Sequence, residues 1–176
     1  NNGKTLAAVI EEVCRYADDI IVVNDGSTDD TANILEQYPA IRTITHPVNK
    51  GKGTALKHGL SQAKKEGFRY AITIDSDGQH FASDIPCFIE AIEKEPDTLL
   101  VGARNLASDN MPGKNTFANK FSNFWFRLET GLKLEDTQSG YRLYPLRKMN
   151  VQSCWYTAKY EFELEAIVFA AWGDVA

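Results

Sequence analysis

Hydrophobic and polar positions in this chain follow two repeating patterns, one with the period of a helix and one typical of buried strands. Leu6, Val9, Ile10 and Val13 are spaced i, i+3, i+4, i+7, so they predict one apolar face of a helix. Residues 20–23 form a short β-branched apolar run between polar residues, which indicates a strand buried on both faces.

The same two patterns continue to about residue 101. They predict strands at about 41–45, 71–74 and 99–101, and helices at about 29–37, after the turn at 49–51, and after Ser83. Ser83 is the expected N-cap of the last of these helices. The apolar face of that helix would consist of Ile85, Phe88, Ile89 and Ile92.

Strands that alternate with helices in this way predict an α/β domain with a mixed, mostly parallel sheet flanked by helices. No repeat or Pro/Gly-rich linker divides the sequence, so residues 1–176 are expected to form a single domain. Ligands bind beyond the C-terminal ends of the strands in such sheets. That rule directs attention to segments 24–29 and 75–80 and to the segment that begins at Gly102.

Composition narrows the classes of function. The net charge of −5 disfavours a general nucleic-acid binder, because such affinity comes mostly from Lys and Arg on phosphates. The longest strongly apolar stretch, 164–172, is shorter than the ~20 residues that span a bilayer. Cys14, Cys87 and Cys154 fit no zinc or disulfide spacing, so we expect buried thiols in a reducing compartment such as the cytoplasm.

Asp75-Ser76-Asp77-Gly78-Gln79-His80 directly follows a predicted strand. Residues i and i+2 of extended chain point to the same side, so Asp75, Asp77 and Gln79 could direct three oxygen-bearing side chains into one pocket. Such ligands suit Mg²⁺ or Mn²⁺ together with substrate phosphates, and His80 could be a fourth ligand. The alternative is an acidic loop that only turns the chain and caps the next helix.

Two further turns precede helices. In the first, Asp25 could accept hydrogen bonds from a base or a ribose and Gly26 permits a tight turn, although the segment could also be only an N-cap. In the second, residues 49–54 bring glycines and lysines to a helix start, where they could bind phosphate, without the spacing of a P-loop. Lys57 and His58 on that helix are expected to be surface residues.

Four segments carry a combined signal. They are Val23-Asn24-Asp25-Gly26-Ser27-Thr28-Asp29, Asn49-Lys50-Gly51-Lys52-Gly53, Asp75-Ser76-Asp77-Gly78-Gln79-His80 and Asp136-Thr137-Gln138-Ser139-Gly140-Tyr141-Arg142. In this order and spacing they resemble family 2 glycosyltransferases, in particular the branch of dolichyl- and polyprenyl-phosphate mannose and glucose synthases. The resemblance runs from Asn1 to about Phe169. It implies a GT-A fold, a nucleotide-sugar donor, a divalent metal and an inverting transfer.

On the donor side, the resemblance implies the following residues. Asp77 and Gln79 would bind Mg²⁺ or Mn²⁺, and Asp75 would be catalytic, close to the donor. The nucleotide sugar, of the UDP-glucose or GDP-mannose type, would contact Asp25, Gly26, Lys52, Asp75 and Ser76. Asn24 departs from the family, because many members have Asp there, and this leaves the donor's identity open.

On the acceptor side, the role of Asp136 depends on the acceptor. A sugar hydroxyl must lose a proton, so Asp136 would be a general base, as in a transferase of cell-surface polysaccharide synthesis. A polyprenyl or dolichyl phosphate is already anionic and needs no base. Arg104, Lys120 and Arg142 would then bind its phosphate.

Three more expectations complete the picture. The family's first strand has no counterpart in the sequence, which predicts an N-terminally trimmed catalytic domain. The stripe formed by Phe117, Phe121, Phe124 and Leu128 predicts a core helix or, alternatively, a peripheral helix at the cytoplasmic face of a membrane. Glu161, Glu163 and Glu165 precede an apolar helix and would favour its N-terminus.

Rival functions come from other classes. Residues 74–78 also resemble the nucleophile motif of haloacid-dehalogenase-type phosphatases, in which Asp75 would attack phosphorus. That family places the motif on its first strand, whereas two strand–helix units precede it here. A sugar-phosphate nucleotidyltransferase and a non-catalytic sugar-nucleotide-binding module are further alternatives.

Overall fold

The computed structural model describes residues 1–103, 123–124, 126–128, 130–131, 136–149 and 161–173. The helices are α1 (Gly3–Val13), α2 (Thr31–Glu36), α3 (Lys52–Lys65), α4 (Ile85–Lys94) and α5 (Glu161–Trp172). The strands are β1 (Ile21–Asp25), β2 (Arg42–His46), β3 (Tyr70–Thr73), β4 (Leu100–Val101) and β5 (Arg142–Pro145). Arg104, Lys120, Phe117 and Phe121, for which the sequence predicts roles, lie outside the described residues.

The described strands form two sheets. β1 and β2 pair in parallel, with Asp25 opposite His46. β5 lies between β3 and β4 and is antiparallel to both. The described strands therefore form one parallel and one antiparallel sheet, and their pairings are less parallel than the alternation of strands and helices predicts, because β5 inserts between two strands that precede it.

Helices cover both faces of the second sheet. β5 is buried at all four positions, and its side chains alternate between the two faces. Leu143 packs with Phe88 and Ile92 of α4. Tyr144, on the opposite face, packs with Leu60 of α3 and Phe162 of α5. This burial on both faces makes β5 a central strand.

The predicted helices and strands up to residue 101 are present, with small differences at their ends. The predicted face of α1 is confirmed, since all four of its apolar residues are buried. Ser83 is not the N-cap of α4: it lies inside a 3₁₀ turn, Ala82–Asp84, and Asp84 occupies the cap position. Ile89 is 46% exposed, so the buried face of α4 is narrower than predicted.

A cavity of about 630 Å³ separates the two sheets. Its walls are mostly apolar and include Val22 and Val23 of β1, Ile72 of β3, and Val9 of α1. No described strand lies between β1 and β3.

Two further findings concern the cysteines and the membrane. Cys14 and Cys87 are free thiols, and both are exposed, so the expectation of buried thiols is wrong for these two residues. Within the described ranges, no helix is both long and apolar enough to cross a membrane.

Candidate active site

The Asp25 carboxylate lies at the C-terminal end of β1 and organises the turn that precedes α3. Its Oδ1 accepts the Lys50 amide at 2.9 Å, and its Oδ2 accepts the Gly51 amide at 2.8 Å. Oδ1 also lies 2.7 Å from His46 Nδ1. Burial opposes the charge, but the hydrogen bonds from His46 and the two amides outweigh it and lower the pKa of Asp25. Asp25 is therefore an ionised carboxylate that ties β1, β2 and the turn together.

Gly26 and Asn24, on either side of Asp25, have separate structural roles. Gly26 has a φ of +64°, and a Cβ there would collide with the backbone of Val48 and Asn49. Asn24 is buried, and its Oδ1 accepts the Ser27 amide at 3.0 Å. Asn24, the departure from the family pattern, thus supports the turn after β1.

Three charged side chains meet where α3, β3 and α5 approach each other. Lys52 Nζ lies 2.8 Å from Asp75 Oδ2 and 3.1 Å from Glu163 Oε1, the latter at ion-pair distance without hydrogen-bond geometry. Burial opposes the Lys52 charge, but the two carboxylates outweigh it and raise the pKa of Lys52. Burial likewise opposes ionisation of Asp75, but His80 and Lys52 lower the pKa of Asp75 to about 2.

Gly140 closes this cluster from the side of β5. A Cβ on Gly140 would lie 2.6 Å from Asp75 Oδ2, 2.8 Å from Lys52 Nζ and 2.9 Å from Glu163 Oε1. No side chain fits at that position without displacing one of the charged groups. Glycine is therefore required at position 140, because the three charged groups approach its backbone too closely for a side chain.

Glu163 belongs to this cluster, and the sequence did not predict it as a site residue. Glu163 lies in the first turn of α5, where the sequence predicts that it favours the helix N-terminus. Its side chain is buried against Lys52. The contact between Glu163 and Lys52 depends on the packing of α5 on α3, which no local sequence pattern specifies.

The predicted metal ligands lie in an exposed turn after β3. Asp77 and Gln79 are both exposed, and Asp77 Oδ1 accepts the Gln79 amide at 2.9 Å. The part of the chain that the structure describes contains no cluster of three or more His, Cys, Asp or Glu side chains suited to a metal ion. The exposed carboxylate and amide oxygens still fit Mg²⁺ or Mn²⁺, which bind through one or two carboxylates plus phosphates and water.

The neighbours of this turn have other partners. His80 Nε2 lies 3.7 Å from Asp75 Oδ2, and the His80 ring stacks obliquely on Tyr141. Ser76 Oγ accepts a hydrogen bond from Asn2 Nδ2 at 2.9 Å. In this arrangement His80 supports Asp75, and Ser76 connects the site to the start of α1.

Arg142 is fully buried, and its surroundings differ from those expected of a group that binds acceptor phosphate. Its guanidinium donates to the carbonyl oxygens of Ser139 at 2.7 Å, Thr137 at 3.0 Å and Glu163. Asp136 is also buried, and its Oδ1 accepts the Gln138 amide at 3.1 Å. These contacts hold the loop 136–141 against α5, and the phosphate contact of Arg142 stays a prediction.

The sequence predicts either a core helix or a helix at a membrane surface for this stretch, and the described residues within 123–130 include both buried and exposed side chains. Phe126 is 2% exposed and belongs to the core around Tyr144 and Phe162. Phe124 and Leu128 are 60% and 64% exposed. Because these two residues are four apart on a helix, they lie on one face, opposite the side that Phe126 buries.

The fold and the order of these segments define a family. The family model for glycosyl transferase family 2 matches residues 1–154, and the chain belongs to this family. The chain is 32% identical to the UDP-N-acetylglucosamine–dolichyl-phosphate N-acetylglucosaminyltransferase of Methanococcus voltae, over 97% of this chain and 76% of that protein. It is 28% identical to a dolichyl-phosphate β-glucosyltransferase of Trichomonas vaginalis, over 82% of this chain and half of that protein.

Solved structures share the fold. Glucosyl-3-phosphoglycerate synthase of Mycobacterium tuberculosis, crystallised with Mn²⁺, UDP and glucosyl-3-phosphoglycerate, superposes with a TM-score of 0.71 at 21% identity. The match covers 97% of this chain and 61% of that one. It confirms the expected GT-A fold.

Proposed function

We propose that this chain transfers a hexose, with inversion, from a nucleotide sugar of the UDP-glucose or GDP-mannose type to a polyprenyl or dolichyl phosphate. The observation that carries the proposal is the connection from Asp25 through the turn at 49–51 to Lys52 and Asp75. This connection brings the predicted donor-binding residues of β1, α3 and β3 into one hydrogen-bonded assembly. The relatives named for dolichyl-phosphate transfer support the acceptor class.

The donor would bind across this assembly. Asp25 offers a carboxylate to the base or ribose, and the turn ending at Gly51 places the N-terminus of α3 close by. Amide N–H groups at a helix start favour anions such as a diphosphate. Lys52 holds Asp75 in place, and Asp75 is left to orient the sugar.

Asp77 and Gln79 would hold a divalent cation. When bound, Mg²⁺ or Mn²⁺ would stabilise the negative charge that develops on the leaving nucleoside diphosphate. The exposure of both side chains leaves room for donor phosphates in the coordination shell.

Attack by the acceptor on the anomeric carbon breaks the bond to the diphosphate and inverts the configuration. A lipid phosphate oxygen is already anionic, so no residue has to remove a proton. Burial of Asp136 supports this acceptor over a sugar hydroxyl, because a general base must reach the proton that it removes. Arg104 and Lys120 are then the proposed phosphate contacts. We place the reaction at the cytoplasmic face of a membrane.

The phosphatase alternative is set aside. The chain belongs to family 2, and the Asp75 carboxylate that would be the nucleophile is paired with the Lys52 ammonium.

Calorimetry with UDP and with GDP tests the donor and metal assignments. We expect one nucleotide to bind in the presence of Mg²⁺ or Mn²⁺, and we expect Asp77→Ala to abolish that binding. Asp97→Ala is the matched control, because Asp97 is an exposed acid whose carboxylate pairs with the Lys148 side chain at 3.3 Å. Metal-independent binding that survives Asp77→Ala would overturn the metal assignment.

A transfer assay with UDP-glucose and GDP-mannose, offered polyprenyl phosphate or free sugars, tests the acceptor. Transfer to polyprenyl phosphate is the expected result. Transfer to sugar hydroxyls alone would replace the proposed acceptor.

A further inference from the structure

Three hydrogen-bonded side chains connect the candidate site to the surface. His46 lies opposite Asp25 in the β1–β2 register, and its Nδ1 is 2.7 Å from Asp25 Oδ1. His46 Nε2 is 2.7 Å from His58 Nδ1, and the two rings meet edge to face. His46 is 4% exposed, whereas His58 is exposed on α3.

The position of each hydrogen in the hydrogen-bonded series Asp25–His46–His58 follows from what each group can donate or accept. An ionised carboxylate only accepts, so His46 Nδ1 carries the hydrogen that it shares with Asp25. In neutral His46 the Nε2 is then an acceptor, and the hydrogen between the two rings belongs to His58 Nδ1. His58 Nε2 remains to take a proton, so the pair can accept one proton with every bond intact.

The pair also reaches the turn before α3 through Asp25. Because Asp25 accepts the amides of Lys50 and Gly51, a displacement of its carboxylate would move the turn that leads to Lys52.

We propose that His46 and His58 are positioning residues that hold the Asp25 carboxylate for the donor nucleotide. This inference rests on the proposed function, because it requires a nucleotide at Asp25. The charged groups that face His58 are Asp25 from β1, Lys50 from the turn and Lys65 from its own helix. Burial first, then His46 and Lys50, lower the pKa of His58.

Nitrogen NMR of the imidazole rings in the intact chain tests the geometry without any ligand. We expect the His46 spectrum at neutral pH to show hydrogen on Nδ1 and an accepting Nε2. Hydrogen on His46 Nε2 at neutral pH would overturn the assignment.

Calorimetry with UDP and GDP at neutral pH, in the presence of Mg²⁺, tests the effect on affinity. His58→Asn should retain most of the wild-type affinity, because its amide can donate to His46 Nε2.

His58→Leu removes the donor and should weaken binding several-fold at neutral pH. His58 is exposed, so these variants should fold, and Gln62→Leu on the same helix controls for a general effect on α3. Equal affinities in wild type, His58→Asn and His58→Leu would overturn the proposed role. If wild type binds neither nucleotide, the proposed function and the affinity claim both fail, while the NMR result still decides the hydrogen-bonded series.

Discussion

Lys52 Nζ and Asp75 Oδ2 lie 2.8 Å apart and join the first turn of α3 to the end of β3. This ion pair is the point at which the proposed nucleotide side of the site, around Asp25, meets the side that contains Glu163 and Gly140. Side-chain exposures of 23% and 30% leave the pair accessible to a ligand while limiting solvent screening.

The free energy of unfolding at acidic pH should depend on the Lys52–Asp75 pair. The pKa of Asp75 is lowered from 3.8 to about 2, so ionised Asp75 stabilises the fold above about pH 4, and that contribution is lost as pH falls toward 2. Lys52→Met removes one cause of the shift. The variant should be less stable at neutral pH and should lose less stability on acidification. Urea unfolding at neutral and acidic pH measures both effects, and Lys148→Met, at an exposed pair, should change neither.

Gly140→Ala should impair activity more than stability. The added methyl would lie within 3 Å of all three charged groups and would displace at least one of them. We expect kcat/KM to fall by about a hundredfold, the effect of a ~1 Å misplacement in an active site. Gly67→Ala is the control, because a Cβ at Gly67, which has a φ of +89°, would meet nothing within 4 Å. Equal activities in the two variants would show that the charged groups around position 140 tolerate a side chain there.

Arg142→Met separates a structural role from phosphate binding. The substitution leaves three carbonyl oxygens without their buried donor, so the free energy of unfolding should fall by at least ~3 kcal/mol. Arg42→Met, at an arginine with exposed ion pairs to Asp19 and Glu66, should cost about 1 kcal/mol or less. A stable Arg142→Met protein with only a raised KM for the acceptor would instead support the phosphate role.

Phe124 and Leu128 should contribute to membrane association. The double variant Phe124→Ser/Leu128→Ser should bind anionic lipid vesicles at least about tenfold more weakly with unchanged stability, because both side chains are exposed on one helix face. Vesicle sedimentation measures this partitioning. Phe81→Ser, at a phenylalanine of similar exposure elsewhere, serves as the matched control. Equal losses in the two proteins would show nonspecific adsorption.

Much of the fold could be predicted because its signals are local. The face of α1 follows from helical spacing, and β1 and β3 follow from short apolar runs. β5 could not be predicted in this way, since Arg142 and Pro145 interrupt its apolar pattern. Its burial depends on β3 and β4, which lie far away in the sequence. The Arg142 guanidinium is buried only because backbone carbonyls from two segments surround it.

The candidate site likewise combines residues that a local sequence pattern predicts with residues that depend on distant contacts. Asp25, Gly26 and Asp75 were predicted from turns that directly follow strands, and each lies where a strand ends. Glu163 and the His46–His58 pair were not predicted as site residues, because their partners come from other elements. The β1–β2 register and the packing of α3 and α5 bring them together, and no short motif in the sequence encodes that packing.

The position of β5 between β3 and β4 also orders the steps of folding. Thr73 Oγ1 donates to the Gly140 carbonyl across a sequence separation of 67 residues, so this contact closes a long loop. The Asp25 turn, in contrast, joins elements that are close in sequence and can form early. During synthesis on the ribosome, we expect the nucleotide half of the site to form first, with the Lys52–Asp75–Glu163 cluster completed only after α5 has emerged. A nascent chain would then acquire nucleotide affinity before it acquires the ability to transfer sugar.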